Sequence, residues 1–219
     1  IESLFTDRAI RYREDNEFDH MKVALSAGVQ RMVRADEASA GVAFTIAPDS
    51  GFEQVVFING AWGLGENVVQ GTVNADEYYV FKPALEQGKY SIISKKAGKK
   101  AKTMVFAEED AAETTVNMET PEEMLYRFVL SDEQVQQLAE WCVIIEEHYE
   151  QPMDVEWAVD GISGELFIVQ ARPETVHSQR KGSRLKQYEL QEEGAVLVKG
   201  IGIGGKIAGG KARILHAPE

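Results

Sequence analysis

Two short segments carry side chains able to grip a metal ion and a phosphate together. They are Met153-Asp-Val-Glu-Trp157 and, after a glycine turn at Asp160-Gly-Ile-Ser-Gly164, Leu166-Phe-Ile-Val-Gln-Ala-Arg172. Side chains alternate between the two faces of a strand, so Asp154 and Glu156 share one face and Met153, Val155, Trp157 and Val159 the other. On the returning strand the same count puts Gln170 and Arg172 on a common face with Leu166 and Ile168. Pro173 ends that strand, because it has no N–H to give the ladder. If the hairpin pairs so that the polar faces coincide, two carboxylates, a carboxamide and a guanidinium converge. Mg²⁺ takes hard oxygen ligands, often one or two protein groups completed by substrate phosphates. Arginine offers a fork of donors matched to phosphoryl oxygens and holds the charge that develops in phosphoryl transfer. The plainer alternative is a solvated hairpin face, with Glu156 and Arg172 as a surface ion pair worth about 0–1 kcal/mol. On spacing alone the plainer alternative comes first.

Other chemistry-bearing residues give weaker signals. Gly60-Ala-Trp-Gly63-Leu-Gly65-Glu66 lets backbone approach an anion and offers N–H groups, and equally suits a tight strand-to-helix turn. It lacks the Lys-Ser/Thr ending of a Walker loop and the full dinucleotide fingerprint. Lys95, Lys96, Lys99, Lys100 and Lys102 surround Gly98 and read as a solvated face. His20, His148, His177 and His216 have no metal-like spacing. Cys142, the only cysteine, falls on an apolar helical stripe, which favours packing over reactivity.

These groups need elements to position them. Ser131-Asp-Glu-Gln134 is a capping-box signature, and the helix it opens carries Val135, Leu138, Ala139, Cys142, Ile145 and Tyr149 at helical spacing. Residues 41–46 and 54–58 are apolar runs separated by Pro48-Asp-Ser-Gly51, which predicts an antiparallel pair. Alternation from Val23 to Val33 predicts another strand, and 77–81 a further one. Residues 4–14 are loosely helical. The acidic stretch with Glu108, Glu109, Asp110 and Glu113 reads as a mobile surface excursion. Together these elements predict an α+β fold.

Composition sets the outer limits. Lys and Arg total 23 against 36 Asp and Glu, a formal charge of −13, which disfavours nucleic acid because a polyanion needs a clustered cationic footprint. No stretch approaches the roughly 18 apolar residues of a membrane span. One cysteine leaves no internal disulfide framework and points to a reducing compartment. The chain opens on Ile1-Glu-Ser-Leu-Phe5 as if within a helix and closes on Ala217-Pro-Glu219 without a terminal element, which reads as a piece of something larger.

Five segments resemble the phosphoenolpyruvate synthase (pyruvate, water dikinase) family. They are Val23-Ala-Leu-Ser-Ala-Gly-Val-Gln-Arg-Met-Val33, Gly60-Ala-Trp-Gly-Leu-Gly-Glu66, Val68-Val-Gln-Gly71, Met153-Asp-Val-Glu-Trp157 and Phe167-Ile-Val-Gln-Ala-Arg-Pro-Glu-Thr-Val176. The resemblance covers nearly the whole chain. It implies an ATP-grasp-like domain of antiparallel sheets with helices over residues 1–176, a linker at 177–186, and the first strands of a swivelling phosphohistidine domain at 187–219. It also implies ATP and Mg²⁺ as cofactors, pyruvate as acceptor in the larger protein, a cytoplasmic setting, no membrane or nucleic-acid partner, and a homodimer of the larger protein.

Residue by residue, Glu156 and Gln170 resemble the metal-facing pair, with Asp154 supporting them. Arg172 resembles the catalytic arginine on the transferring phosphates. The stretch Gln30 to Val33, including Met32, resembles the hinge strand whose backbone meets adenine. Thr45 and Glu66 fall where ribose or phosphate contacts are expected. The early phosphate-gripping lysine and arginine, the Thr-Cys-His segment and the pyruvate-binding barrel are absent, so the chain alone is expected to lack dikinase activity. Individual motifs are shared with pyruvate, phosphate dikinase and rifampicin phosphotransferase, and a non-catalytic nucleotide-binding module is a further alternative. Intact Glu156, Gln170 and Arg172 argue against decay.

Overall fold

The apolar runs flanking Pro48–Gly51 form β1 (Ser39–Phe44) and β2 (Val55–Trp62), paired antiparallel as expected. Gly51 takes a φ of +69°, and its N–H donates to the Ala47 carbonyl at 2.8 Å, closing the reversal. In this computed structural model the residues described are 2–108, 111, 113–174 and 209. The linker and the phosphohistidine strands expected from residue 177 onward lie outside the described residues, apart from Gly209.

Chain contacts divide the molecule into two units, residues 1–32 and 33–219. The first begins with a short 3-10 turn at Glu2–Phe5 and continues as α1 (Asp7–Asp15), capped by the Thr6 hydroxyl, which accepts from Ala9 N–H. Arg13, buried on this helix, donates from Nε to His20 Nδ1 at 2.9 Å and from its terminal nitrogen to the Leu4 carbonyl at 2.8 Å.

The strand expected at 23–33 is not formed: residues 23–34 carry neither helix nor strand, and Val29 is fully exposed. Alternation describes only how side chains would sort on a ladder, and no described strand pairs with this stretch. Its Ala, Ser and Gly positions add little intrinsic preference for extended structure.

In the second unit α2 (Glu66–Val69), β3 (Asp76–Phe81), α3 (Lys82–Glu86) and β4 (Ile92–Lys96) follow β2. Then come β5 (Lys102–Phe106), β6 (Thr115–Glu119), α4 (Asp132–Tyr149), β7 (Met153–Val159) and β8 (Leu166–Pro173). Six strands make one antiparallel sheet of order β4-β3-β2-β1-β7-β8, while β5 and β6 form a separate hairpin. The strands of that hairpin flank the acidic stretch, of which 109, 110 and 112 fall outside the described residues.

One face of the large sheet is closed by α4. Its capping box is complete: Ser131 Oγ accepts from Gln134 N–H, and the Gln134 carboxamide oxygen accepts from Ser131 N–H. Val135, Leu138, Ala139 and Cys142 pack against Val56, Ile58, Tyr78, Val80, Met153, Val155 and Trp157. Burial pushes the Cys142 thiol up to about 12, so it behaves as a small hydrophobe. Tyr149, expected on the same stripe, is instead about half exposed, 53%, with the His148 ring edge-on to it. On the opposite face Val68 of α2 packs with Val42, Ala61 and Val73, and Phe44 and Ala75 lie against them. No described helix is long and apolar enough to cross a membrane.

Candidate nucleotide-binding face

The β7–β8 register sets the site. Asp154 stands directly opposite Arg172, and Glu156 opposite Gln170, so the two carboxylates, the amide and the guanidinium share one sheet face, away from α4. Odd-numbered Met153, Val155, Trp157 and Val159 point into the core, none more than 7% exposed.

The expectation that Leu166 and Ile168 share the face of Gln170 and Arg172 is wrong, and a β-bulge is the reason. Glu156 pairs with Gln170 while its neighbour Trp157 pairs with Ile168, leaving Val169 as an extra residue. That single insertion inverts the alternation, so Leu166 and Ile168 pack in the core while Gln170 and Arg172 face outward. A bulge next to a functional site commonly re-aims side chains in this way.

Arg172 does not pair with Glu156 as the plainer reading had it. Its Nε donates to Asp154 Oδ2 at 2.8 Å and a terminal nitrogen lies 2.7 Å from the same oxygen. This contact raises the guanidinium's pKa above its usual value, so it stays cationic. The Asp154 side chain is 11% exposed against 57% for Arg172, which leaves much of the guanidinium open to a ligand. The other oxygen, Asp154 Oδ1, is buried with no hydrogen-bond partner. A buried acceptor in that state is costly unless a cation or donor completes it.

The same face continues inward across the sheet. Glu156 lies beside Val42, which lies beside Asn59, which lies beside Glu77. Asn59 Oδ1 is likewise buried without a partner. The sequence reading missed Asn59, although an amide inside the apolar run Val55-Val-Phe-Ile-Asn-Gly-Ala-Trp62 breaks the local pattern. In the neighbouring row Phe44, Phe57 and Tyr79 make an aromatic ladder, with ring centroids 6.4 and 4.9 Å apart, that runs into Asp154 and Arg172. Burial, together with the charges of Asp49 and Glu77, pushes the Tyr79 phenol up to about 12.

The remaining expected residues are scattered. Thr45 is fully buried, and its hydroxyl accepts from Met153 N–H at 2.8 Å, extending the β1–β7 pairing next to Asp154. Glu66 is exposed in the first turn of α2, accepting from the Gln70 amide at 2.7 Å. The loop before it does make the tight strand-to-helix turn: Gly63 has φ +82°, and a Cβ there would come within 2.2 Å of the Met104 carbonyl. Val33 is half-buried and packs with Leu64 against Ala35, Ala40 and Ala158. Gln30 and Met32 are exposed in the first unit and form no hinge strand. Among the described residues no group of three His, Cys, Asp or Glu side chains clusters as a metal site.

The family described as pyruvate phosphate dikinase, AMP/ATP-binding domain, matches residues 1–193. The chain belongs to that family. Curated relatives agree with the dikinase-domain assignment. Phosphoenolpyruvate synthase of Helicobacter pylori is 51% identical over 100% of this chain and 28% of its own length. That of Escherichia coli K12 is 51% identical over 98% of the chain and 27% of its length. A probable phosphoenolpyruvate synthase of Methanocaldococcus jannaschii is 44% identical over 98% of the chain and 17% of its length. This dikinase-family chain thus spans about a quarter of the length of the bacterial relatives it matches.

Proposed function

We propose that this AMP/ATP-binding domain is the ATP-grasp-like nucleotide site of a phosphoenolpyruvate synthase, followed by the opening strands of a phosphohistidine domain. The full-length protein would move a phosphoryl group from ATP to its own histidine and then to pyruvate. The products are phosphoenolpyruvate, AMP and phosphate, with water consumed. A single cysteine, buried and thiol-form, fits a cytoplasmic enzyme. The chain by itself would lack dikinase activity, because the other cations that neutralise a triphosphate are not among its motifs.

One observation carries the reading: two carboxylates, an amide and a guanidinium in register on the sheet face opposite α4. Asp154, Glu156 and Gln170 each carry a side-chain oxygen, the donor type Mg²⁺ takes. Glu156 and Gln170, supported by Asp154, would hold a Mg²⁺ ion bound with ATP, and that ion would neutralise phosphate charge. Arg172, anchored on one edge by Asp154, directs its remaining N–H groups at phosphoryl oxygens. Thr45 acts from behind, holding Met153 and therefore the β7 register at Asp154. By the family resemblance alone, Glu66 is assigned to ribose or phosphate contact and the backbone of Gln30, Met32 and Val33 to adenine.

Calorimetry of Mg-ATP binding tests this on the full-length protein, wild type beside Glu156→Ala and Arg172→Ala. Both changes are expected to weaken binding at least tenfold or to abolish histidine phosphorylation. Wild-type binding and turnover in both variants would reduce the hairpin to a polar surface.

A further inference from the structure

The lysine-rich turn expected to be solvated hides one residue that is not. Lys100 and Asp76 are both fully buried, with side-chain exposures of 0% and 0%, and their ammonium and carboxylate are in direct contact. Asp76 Oδ1 also accepts from Gly98 N–H at 2.8 Å, and its Oδ2 accepts from Val129 N–H at 2.8 Å and from the Tyr78 hydroxyl at 3.4 Å. Lys100 Nζ donates in addition to the Gly98 carbonyl at 2.8 Å. The residue holds φ at +43°, a left-handed conformation that a lysine seldom adopts. Lys100 N–H meanwhile donates to the Asn74 carbonyl, and a Cβ on Gly98 would lie 2.1 Å from that same oxygen. The connector between β4 and β5 is therefore pressed onto the start of β3 and tied there at several points.

What this tie holds is the glycine loop. Asp76 pairs with Gly60, where that loop begins. Two residues beyond Lys100, β5 starts, and its Met104 forms a bridge with Gly63, accepting from Leu64 N–H at 2.9 Å. The partner strand β6 adds a bond from the Asn67 amide to Asn117 Oδ1 at 2.7 Å, just after Glu66. The loop is thus anchored at one end by β3 and along its length by the β5–β6 hairpin, and the Lys100–Asp76 pair joins these two anchors. A buried ion pair contributes little net stability against an apolar replacement, and its best attested use is to specify one arrangement.

We propose that Lys100 is a positioning residue: through Asp76 it fixes the β5–β6 hairpin against the glycine loop, and so sets the loop's geometry for ATP. The proposal rests on the reading of this face as the ATP site.

The test compares full-length wild type with Lys100→Met, Asp76→Asn and the double variant Lys100→Met/Asp76→Asn. Melting temperature, amide exchange at Leu64 and Met104, and KM for ATP and for pyruvate are measured on each. In the double variant, where no buried charge is left unpaired, the melting temperature is expected to return to within a few degrees of wild type. Exchange at Leu64 and KM for ATP are expected to rise about tenfold, with KM for pyruvate unchanged. Restored melting with wild-type Leu64 exchange and wild-type KM for ATP would make the pair purely structural and overturn the proposal. If the double variant does not fold, Asp76→Asn decides: the same selective rise in KM for ATP supports the pin, and an unchanged or non-selective KM refutes it. Glu156→Gln is run alongside. Should that variant bind ATP like wild type, the reading of the face fails, while Leu64 exchange still reports on the pin.

Discussion

Lys100–Asp76 and Arg172–Asp154 both join a cation to an aspartate on the large sheet, and their surroundings are opposite. The first pair has no exposure on either partner, and Asp76 accepts from four separate donors. The second leaves 57% of the arginine exposed and one carboxylate oxygen buried without a partner. A saturated pair has nothing left to offer a ligand, so its energy goes into holding one chain arrangement. An unsaturated pair at an open face retains both donors and an acceptor, which is what a phosphate with its metal requires. The difference between holding and binding lies in the spare valences, not in the residue types.

Breaking the saturated pair should have the larger effect on folding. Lys100→Met alone leaves Asp76 charged, buried and short of a partner, and is expected to cost about 3–5 kcal/mol in urea unfolding. If the midpoint barely moves, water reaches Asp76 in the variant, and the pair is less enclosed than the contrast requires.

Arg172→Lys sharpens the other side. Lysine keeps the charge but loses the planar fork that divides its donors between Asp154 and a phosphoryl oxygen. ATP-dependent histidine phosphorylation in the full-length protein is expected to fall about 10²-fold, the scale of one preorganised donor. Unfolding free energy should change by about 1 kcal/mol or less, as for a largely exposed pair. A loss of stability as large as that of Lys100→Met would erase the distinction between the two pairs.

How far this contrast was legible in the sequence differs from residue to residue. That Asp154 shares a face with Glu156, and Gln170 with Arg172, follows from alternation, a local property, and helix α4 follows from its cap and apolar stripe; that the two polar pairs meet on one face depends on a bulge. The bulge at Val169 leaves no such trace, because valine suits a regular strand as well as a bulged one. Residues 23–33 alternate convincingly, yet pattern says nothing about whether a neighbouring strand exists to pair with. Lys100 was hidden for a related reason: within its own segment it is one lysine among five, and only Asp76, 24 residues earlier in the chain and brought close by β3, makes it a core residue. Local chemistry survives in sequence, whereas burial of a charge is decided by a distant partner.

A third pair, Lys95–Asp132, completes the scale from enclosed to open. Its side chains are 39% and 35% exposed, with Lys95 Nζ 2.8 Å from the carboxylate and the Tyr90 hydroxyl donating to it at 2.9 Å. The hydrogen bond from Lys95, then that from Tyr90, holds the Asp132 carboxyl below its ordinary value. A depressed folded-state pKa stabilises the fold above the unfolded value of about 3.9, and that contribution disappears as pH falls through the folded-state value. Exposure and screening limit it to about 0.2–1 kcal/mol. Urea midpoints for wild type and Asp132→Asn should therefore differ slightly at pH 7 and converge toward pH 2, because protonation of the wild-type carboxyl removes what the variant already lacks. A gap that stays constant over this range would mean that the pair's charge contributes nothing and that Asp132 acts only through its position in the first turn of α4.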